Sequence, residues 1–98
     1  MKYIIDIDGT ICSDTFGKYE LAVPFINRIY KINQLYSQGH IIIYQTARGS
    51  TTSIDWRELT EKQLNDWGAK YHELRLGKLD GDFFVDNKGV HSDEFFKE

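Results

Sequence analysis

The stretch MKYIIDIDGT, residues 1–10, is the part of the chain that best indicates its fold. Its apolar run ends in two carboxylates, Asp6 and Asp8, which are separated by one residue and followed by Gly9 and Thr10. A run of this kind is typical of a buried strand in an α/β sheet. Because side chains alternate along a strand, we expect Asp6 and Asp8 to share one face at the end of that strand.

The chemistry of this turn indicates phosphoryl transfer. Two carboxylates so close together ionise freely only when a cation lies between them or when one of them holds a proton. Gly9 allows a tight turn, in which the successive backbone N–H groups of Gly9 and Thr10 can bind an anion. The alternative is a strand that simply ends in an acidic turn.

The rest of the chain alternates between predicted strands and helices. This order predicts parallel pairing with right-handed crossovers. The first half is predicted to contain a strand over 3–7, a loop or small hairpin over 11–22, a helix from Pro24 to a cap at Gly39, and a strand over 41–44 that ends at Gln45 and Thr46. The second half is predicted to contain a helix over 56–67 with Ser53 as its cap, a strand over 71–76, a brief buried strand over 83–85 and a helical turn over 92–96.

Composition limits the class of protein. The 98 residues are enough for one domain, which we assign to 1–98. The formal net charge is −3, and the basic residues form no stripe that would bind a nucleic-acid backbone. Cys12 is the only cysteine, so no internal disulfide forms, and a reducing compartment is expected. No apolar stretch reaches membrane-spanning length, and acids interrupt the first apolar run too early for a signal peptide. We therefore expect a cytoplasmic protein.

Polar residues follow the predicted strands at the positions where ligands bind in open α/β sheets. Asp6, Thr46 and Asp86 each fall at the carboxyl end of a predicted strand. Ligands of such sheets lie outside those ends. Position alone therefore predicts one site that contains all three residues.

The segment Asp6-Ile7-Asp8-Gly9-Thr10 resembles the first motif of the haloacid dehalogenase superfamily of aspartate-nucleophile phosphatases. Thr46, Lys78 and Asp86 are similar to the second, third and fourth motifs, in the family's order. The resemblance implies an α/β fold, here a minimal, Rossmann-like three-layer sandwich with a mainly parallel sheet of about four strands. The short connections also imply a chain without the cap domain that many members carry.

The same resemblance assigns roles to the matched residues. Asp6 is expected to be the nucleophile and Asp8 the general acid and base. Mg²⁺ is expected to bind Asp6, the backbone carbonyl of Asp8, and Asp86. The residues expected to contact the phosphoryl group are Gly9, Thr10, Thr46, Ala47, Arg48 and Lys78.

Several of these assignments have alternatives. Arg48 could hold a substrate phosphate through two hydrogen bonds, or it could be a solvated loop arginine. Lys78 could instead be a surface lysine, although its place just ahead of residues 83–86 favours the functional role. Asn87 departs from the family pattern, in which a second Asp is common, and Asp82 competes with Asp86 as a metal ligand.

The expected function is a Mg²⁺-dependent phosphomonoesterase that acts through an aspartyl phosphate on a small phosphorylated metabolite such as a sugar phosphate. Selectivity is expected to come from the flap, defined as residues 11–22, or from a partner subunit that acts as a lid, as in a homo-oligomer. The alternatives are a weakly catalytic phosphate-binding or regulatory module, and a nucleic-acid-end phosphatase, which the scattered basic residues make improbable. No membrane partner is expected.

Overall fold

A parallel sheet of three strands forms the centre of the molecule, for which a computed structural model describes residues 1–50 and 54–97. The strands are β1 (Lys2–Asp6), β2 (Ile41–Thr46) and β3 (Glu73–Leu76), in the order β1-β2-β3. All pairs are parallel, with Asp6 opposite Gln45 and Thr46 opposite Leu76. The prediction of an α/β chain with a parallel sheet is confirmed.

Within the described residues, three helices accompany the sheet: α1 (Ile26–Ser37), α2 (Arg57–Asp66) and the short α3 (Ser92–Phe95). In α1, Ile29 and Ile32 are buried one turn apart, and the helix is followed by Gly39 with a φ of 93°, as the sequence predicts. The predicted cap at Ser53 lies outside the described residues. No helix in the described part of the chain has the length and apolarity needed to cross a membrane.

The flap also has the predicted character of a small closed loop. An antiparallel bridge joins Cys12 to Pro24, and the Ser13 N–H donates to the Val23 carbonyl over 2.9 Å. A 3₁₀ turn over Tyr19–Leu21 lies inside this loop. The flap is therefore anchored at both ends beside the sheet.

The helices cover one face of the sheet. Buried side chains of the sheet, of α1 and of α2 form a single core cluster that includes Ile5, Tyr44, Ile29 and Leu64. On the opposite face Ile4 is 58% exposed, and Glu73 and Arg75 are also exposed. Right-handed crossovers that step in one direction across a sheet place their helices on the same side, which explains the arrangement. The third layer that we predicted is not formed by the described residues.

The predicted fourth strand is also not formed. Phe83–Val85 has no strand partner, and its side chains are 60–94% exposed. The chain leaves the sheet after Leu76 through Gly77, whose φ is 82°. Three apolar residues between acidic turns offer too few backbone hydrogen bonds to offset the entropy of ordering them at a sheet edge. The prediction of a buried strand over 83–85 was wrong because it rested on apolar composition alone.

Candidate functional site

Five of the predicted site residues meet at the carboxyl edge of the sheet: Asp6, Asp8, Thr46, Arg48 and Lys78. Thr46 ends β2 and donates its hydroxyl hydrogen to Asp8 Oδ2 over 3.1 Å. Lys78 follows β3, and its backbone N–H donates to the Thr46 carbonyl over 3.0 Å. Its Nζ pairs with Asp6 Oδ2 at 2.5 Å. Parallel strands bring these residues together because their carboxyl ends share one edge.

Asp6 and Asp8 have separate partners within this site. β1 ends at Asp6, so Asp8 lies in the turn that follows, where Gly9 has a φ of 78°. Strand alternation, on which we based a shared face, therefore does not extend to Asp8. The Asp6 carboxylate pairs with Lys78, whereas Asp8 pairs with Thr46 and Arg48.

The Arg48 side chain is completely buried, and its main partner is Asp8. Nη2 donates to Asp8 Oδ1 over 2.9 Å, and Nε donates to Oδ2 over 3.0 Å. The Asp8 side chain is 18% exposed, so this ion pair lies almost out of solvent. A charge-assisted pair with two hydrogen bonds fixes both partners in orientation.

Helix α2 supplies the remaining partners of this guanidinium. Arg48 Nη1 donates to Thr60 Oγ1 over 3.0 Å and to Gln63 Oε1 over 2.6 Å. Gln63 Nε2 in turn donates to the Tyr19 carbonyl of the flap over 2.7 Å, and the Tyr19 ring lies 4.7 Å from the guanidinium carbon. The positive charge is therefore surrounded by oxygen acceptors and an aromatic face. Such partners are what a buried charge requires.

This geometry corrects the interpretation of Arg48 as a phosphate clamp. The guanidinium already donates to Asp8, Thr60 and Gln63, and the residue is 1% exposed, so no face of it is presented to a substrate. Thr46 is likewise 1% exposed and gives its hydroxyl hydrogen to Asp8. Both residues belong to the site, but in this structure they bind Asp8 instead of facing an open phosphate position.

The expected anion site in the first turn is also occupied by internal hydrogen bonds. The Gly9 N–H donates to the Cys12 carbonyl over 2.9 Å, and the Thr10 N–H donates to the Ile7 carbonyl over 3.1 Å. In this structure both N–H groups are therefore already paired, and a phosphate could bind them only if these two hydrogen bonds were broken. Ala47 lies half-buried in the turn after β2, where its carbonyl accepts from the Ser50 N–H.

The Lys78–Asp6 pair is the accessible part of the site. The Lys78 side chain is 20% exposed and that of Asp6 is 36% exposed. The ring of Phe84 lies 4.3 Å from Lys78 Nζ, and Ser50 Oγ donates to the Lys78 carbonyl. Within the described chain, Asp6 Oδ1 accepts no hydrogen bond. Asp6 thus has a cationic partner at one oxygen and no hydrogen bond from the described residues at the other.

Asp86 does not join this site in the structure. Its side chain is exposed, and Oδ1 accepts hydrogen bonds from the backbone N–H groups of Lys88 and Gly89. These two bonds lower the pKa of the Asp86 carboxyl below its usual value. Asn87 and Asp82 are exposed as well. The predicted ligand set of Asp6, Asp8 and Asp86 is therefore not assembled, because its predicted support, the strand over 83–85, is not formed.

The oxygen donors at this edge meet only part of what Mg²⁺ requires. Among the described residues, no group of three or more His, Cys, Asp or Glu side chains is close enough together to hold a metal ion. Mg²⁺ is commonly held by one or two carboxylates together with water and substrate phosphate. Asp6 has one oxygen that can serve in this way. The side chain of Asp8 is committed to Arg48 and Thr46.

Cys12 and the polar residues of α2 are parts of the site that sequence reasoning did not assign. The Cys12 sulfur lies 3.8 Å from Asp8 Oδ1, and burial, followed by the negative charge of Asp8, raises the pKa of the thiol to about 12. Thr60 and Gln63 are buried beside Leu64, on the apolar side of α2. Thr60 and Gln63, two polar residues on the apolar side of one helix, were the sequence signal that this helix faces a buried polar group.

Comparisons with known proteins show the fold. No family model matches the chain, and no curated protein matches it. A structural-genomics target protein from Vibrio cholerae has a similar crystal structure, with a TM-score of 0.86 and 23% identity over 99% of this chain and 88% of that chain. A chain of a Pnkp1/Rnl/Hen1 complex is also similar in structure, with a TM-score of 0.63 and 22% identity. The similarity covers 88% of the present protein but only 31% of the chain in that complex. These likenesses support a compact α/β fold of this type.

Proposed function

We propose that this protein is a Mg²⁺-dependent phosphomonoesterase of the haloacid dehalogenase type that forms an aspartyl phosphate on Asp6. The observation that carries the proposal is the pairing of Asp6 with Lys78 beside a second carboxylate, Asp8, held by its own buried partners. A nucleophile, a cation beside it and a proton-transfer group next to it are the parts that this reaction needs.

The reaction has two balanced steps. In the first, Asp6 Oδ1 attacks phosphorus, the new O–P bond forms as the bond to the leaving oxygen breaks, and protonated Asp8 gives its proton to that oxygen. In the second, water attacks the aspartyl phosphate, Asp8 takes the proton of the water, and the bond between Asp6 and phosphorus breaks. Inorganic phosphate leaves, and both side chains return to their starting states.

Lys78 would provide positive charge in this scheme, together with a bound Mg²⁺. Lys78 Nζ lies against Asp6 Oδ2, where it would also be close to a phosphoryl group transferred to the other oxygen. Asp6 and the Asp8 carbonyl are the groups that would hold the ion. An ion held there would supply positive charge to offset that on the phosphoryl oxygens. Removal of one such preorganised charge typically lowers the rate by about 10²–10³.

The substrate that we propose is a small phosphorylated metabolite such as a sugar phosphate. The Asp6 carboxylate is 36% exposed, so the nucleophile is accessible to a small molecule. The net charge of −3 and the scattered basic residues disfavour a long nucleic-acid partner, whose backbone is bound mainly by Lys and Arg. Phe16 of the flap is 90% exposed and could contact the remainder of the substrate. A second copy or a partner subunit that covers the site would exclude water during the reaction.

One observation favours a second candidate, a phosphate-binding module with little turnover. Asp86, the expected second metal carboxylate, lies apart from Asp6. A site with fewer charged ligands binds Mg²⁺ less tightly. Such a protein would bind Mg²⁺ and phosphate but would release no phosphate from any substrate.

The deciding experiment measures phosphate release from sugar phosphates, nucleotides, a 3′-phosphorylated oligonucleotide and an activated aryl phosphate, with Mg²⁺ and with a chelator. We expect metal-dependent release that is abolished in Asp6→Asn, while circular dichroism shows an intact fold. Asp55→Asn serves as the control because Asp55 accepts a hydrogen bond from the Arg57 N–H, outside the site. Wild-type rates in Asp6→Asn contradict the proposal, and binding without turnover favours the module. Preferred release from the oligonucleotide points to a nucleic-acid-end phosphatase.

A further inference from the structure

The hydrogen bonds around Asp8 leave this side chain arranged as a proton acceptor. Oδ1 accepts from Arg48 Nη2 over 2.9 Å, and Oδ2 accepts from Arg48 Nε over 3.0 Å and from the Thr46 hydroxyl over 3.1 Å. Arginine has only donors, so it can pair with the carboxylate in this way but cannot accept a proton from it. The arrangement matches ionised Asp8, the state that it reaches after it gives up its proton in the first step and in which it takes a proton from water in the second.

The partners of Arg48 on its other side make its position rigid. Thr60 and Gln63, both on α2, accept hydrogen bonds from Arg48 Nη1. Thr60 itself donates to the Trp56 carbonyl over 2.7 Å. Gln63 continues the chain of hydrogen bonds to the Tyr19 carbonyl in the flap. A guanidinium that is held from two elements can fix a carboxylate in one orientation. A solvated arginine could not do so.

We propose that Arg48 is a positioning residue that sets the Asp8 carboxylate for the second step, hydrolysis of the aspartyl phosphate. This role rests on the proposed function. Arg48 touches neither the nucleophile nor the phosphoryl group and acts only through Asp8. In the second step the attacking water loses its proton to Asp8 as its oxygen bonds to phosphorus and the Asp6–phosphorus bond breaks. Misplacement of Asp8 therefore slows the loss of phosphate from Asp6.

An activated aryl phosphate separates this step from the first one. Its leaving group departs without a proton, so formation of the aspartyl phosphate needs little help from Asp8. We expect Arg48→Lys to lower kcat by about 100-fold, the size of a general-base contribution. KM should fall in parallel, so that kcat/KM stays within about threefold of wild type, because kcat/KM reports the first step alone. Rapid mixing should show one equivalent of aryl alcohol released before the slow phase.

A loss of general stability or of phosphate binding gives a different pattern. If kcat/KM falls as far as kcat while KM is unchanged or raised, without an initial burst, Arg48 does not position Asp8 and the inference is overturned. Arg75→Lys is the matched control, since Arg75 pairs with the exposed Glu73 on β3, and it should retain wild-type kinetics. If the wild-type protein releases no aryl alcohol at all, the proposed function fails, and this role fails with it.

A spectroscopic measurement does not depend on the folding of an Arg48 variant. We expect the Nε–H group of Arg48 to give a resolved proton resonance that exchanges slowly with solvent, because this group is buried against Asp8. The resonance should shift strongly in Asp8→Asn and stay in place in Asp6→Asn. Fast exchange in the wild-type protein, or a resonance that Asp8→Asn leaves unmoved, would show that the pair is not formed and would overturn the inference.

Discussion

Two acidic residues that the sequence assigns to one site, Asp8 and Asp86, lie in opposite kinds of environment. The Asp8 side chain is 18% exposed and receives hydrogen bonds from Thr46 and a buried Arg48, which α2 holds from behind. Asp86 is exposed and is bonded only to the backbone N–H groups of its own turn. The position of Asp8 is therefore specified by three separate parts of the chain, whereas that of Asp86 is specified locally.

The difference follows from what surrounds each residue. The turn after β1 is joined to the end of β2 through Thr46 and to α2 through the buried Arg48, so a charge there must be paired. The segment 79–90 contacts little of the core, and its apolar residues Leu79, Phe83 and Val85 are 83–94% exposed. Few buried contacts and exposed backbone hydrogen bonds are features of regions that open at low free energy. The first region belongs to the folded core, and the second can be changed with little effect on stability.

The largest expected contrast is between Asp8→Ala and Asp86→Ala. Removal of Asp8 leaves the fully buried Arg48 guanidinium without its counter-ion, which should lower the free energy of unfolding by about 3–5 kcal/mol. Asp86→Ala should leave the urea midpoint unchanged within error. Urea denaturation followed by circular dichroism measures both variants.

A double variant tests whether the unpaired charge is the cause. Asp8→Ala combined with Arg48→Met removes both charges, and an apolar replacement for a buried pair is often neutral in stability. It should recover most of the loss seen in Asp8→Ala. If the double variant is as unstable as the single one, lost packing and not the unpaired guanidinium explains the effect, and the comparison of the two regions loses its electrostatic basis.

The second contrast concerns the Cys12 thiol and pH. Its pKa is raised from 9.0 to about 12 by burial and by the charge of Asp8, so in the folded protein it stays protonated at pH 9. We expect alkylation of Cys12 by iodoacetamide to be more than about tenfold slower in the native protein than in the urea-unfolded chain at that pH, because the thiolate is the nucleophile. Mass spectrometry of the alkylated fraction measures the rate.

The sign of the pH dependence follows from the raised pKa. The stabilising contribution of the neutral thiol is complete below pH 9 and is lost as the pH rises towards 12. Cys12→Ala should therefore show a smaller loss of stability over this range than the wild-type protein. Equal alkylation rates in the folded and unfolded chains would mean that the turn after β1 opens readily, like the segment 79–90.

The parts of the molecule that were predictable from sequence are those fixed by local pattern. β1, α1 and β2 follow from apolar runs and helical spacing, and the placement of Asp6 and Thr46 at one edge follows from parallel strands that end there. Lys78, which pairs with Asp6, was assigned only through the family resemblance. Arg48 shows the limit of that reasoning. A charged residue in a loop is usually exposed, and its burial depends on Thr60 and Gln63, which lie 12 and 15 positions further along the chain. The local pattern of α2 indicates that the helix buries polar groups, but it does not indicate which residue pairs with them.

The smallest expected effect links the exposed segment to the site. The Phe84 ring lies 4.3 Å from Lys78 Nζ, whereas Phe83 is 89% exposed. Such a cation–π contact at an accessible site is worth about 0.5–1 kcal/mol. If it helps to hold Lys78 against Asp6, Phe84→Ala should lower kcat/KM by about two- to fivefold, and Phe83→Ala should leave it unchanged. Equal effects of the two variants would show that the segment affects the site only by shielding it from solvent, without a specific contact between Phe84 and Lys78. A loss above tenfold would show that this segment, although exposed, is coupled to the site as strongly as the buried partners of Asp8.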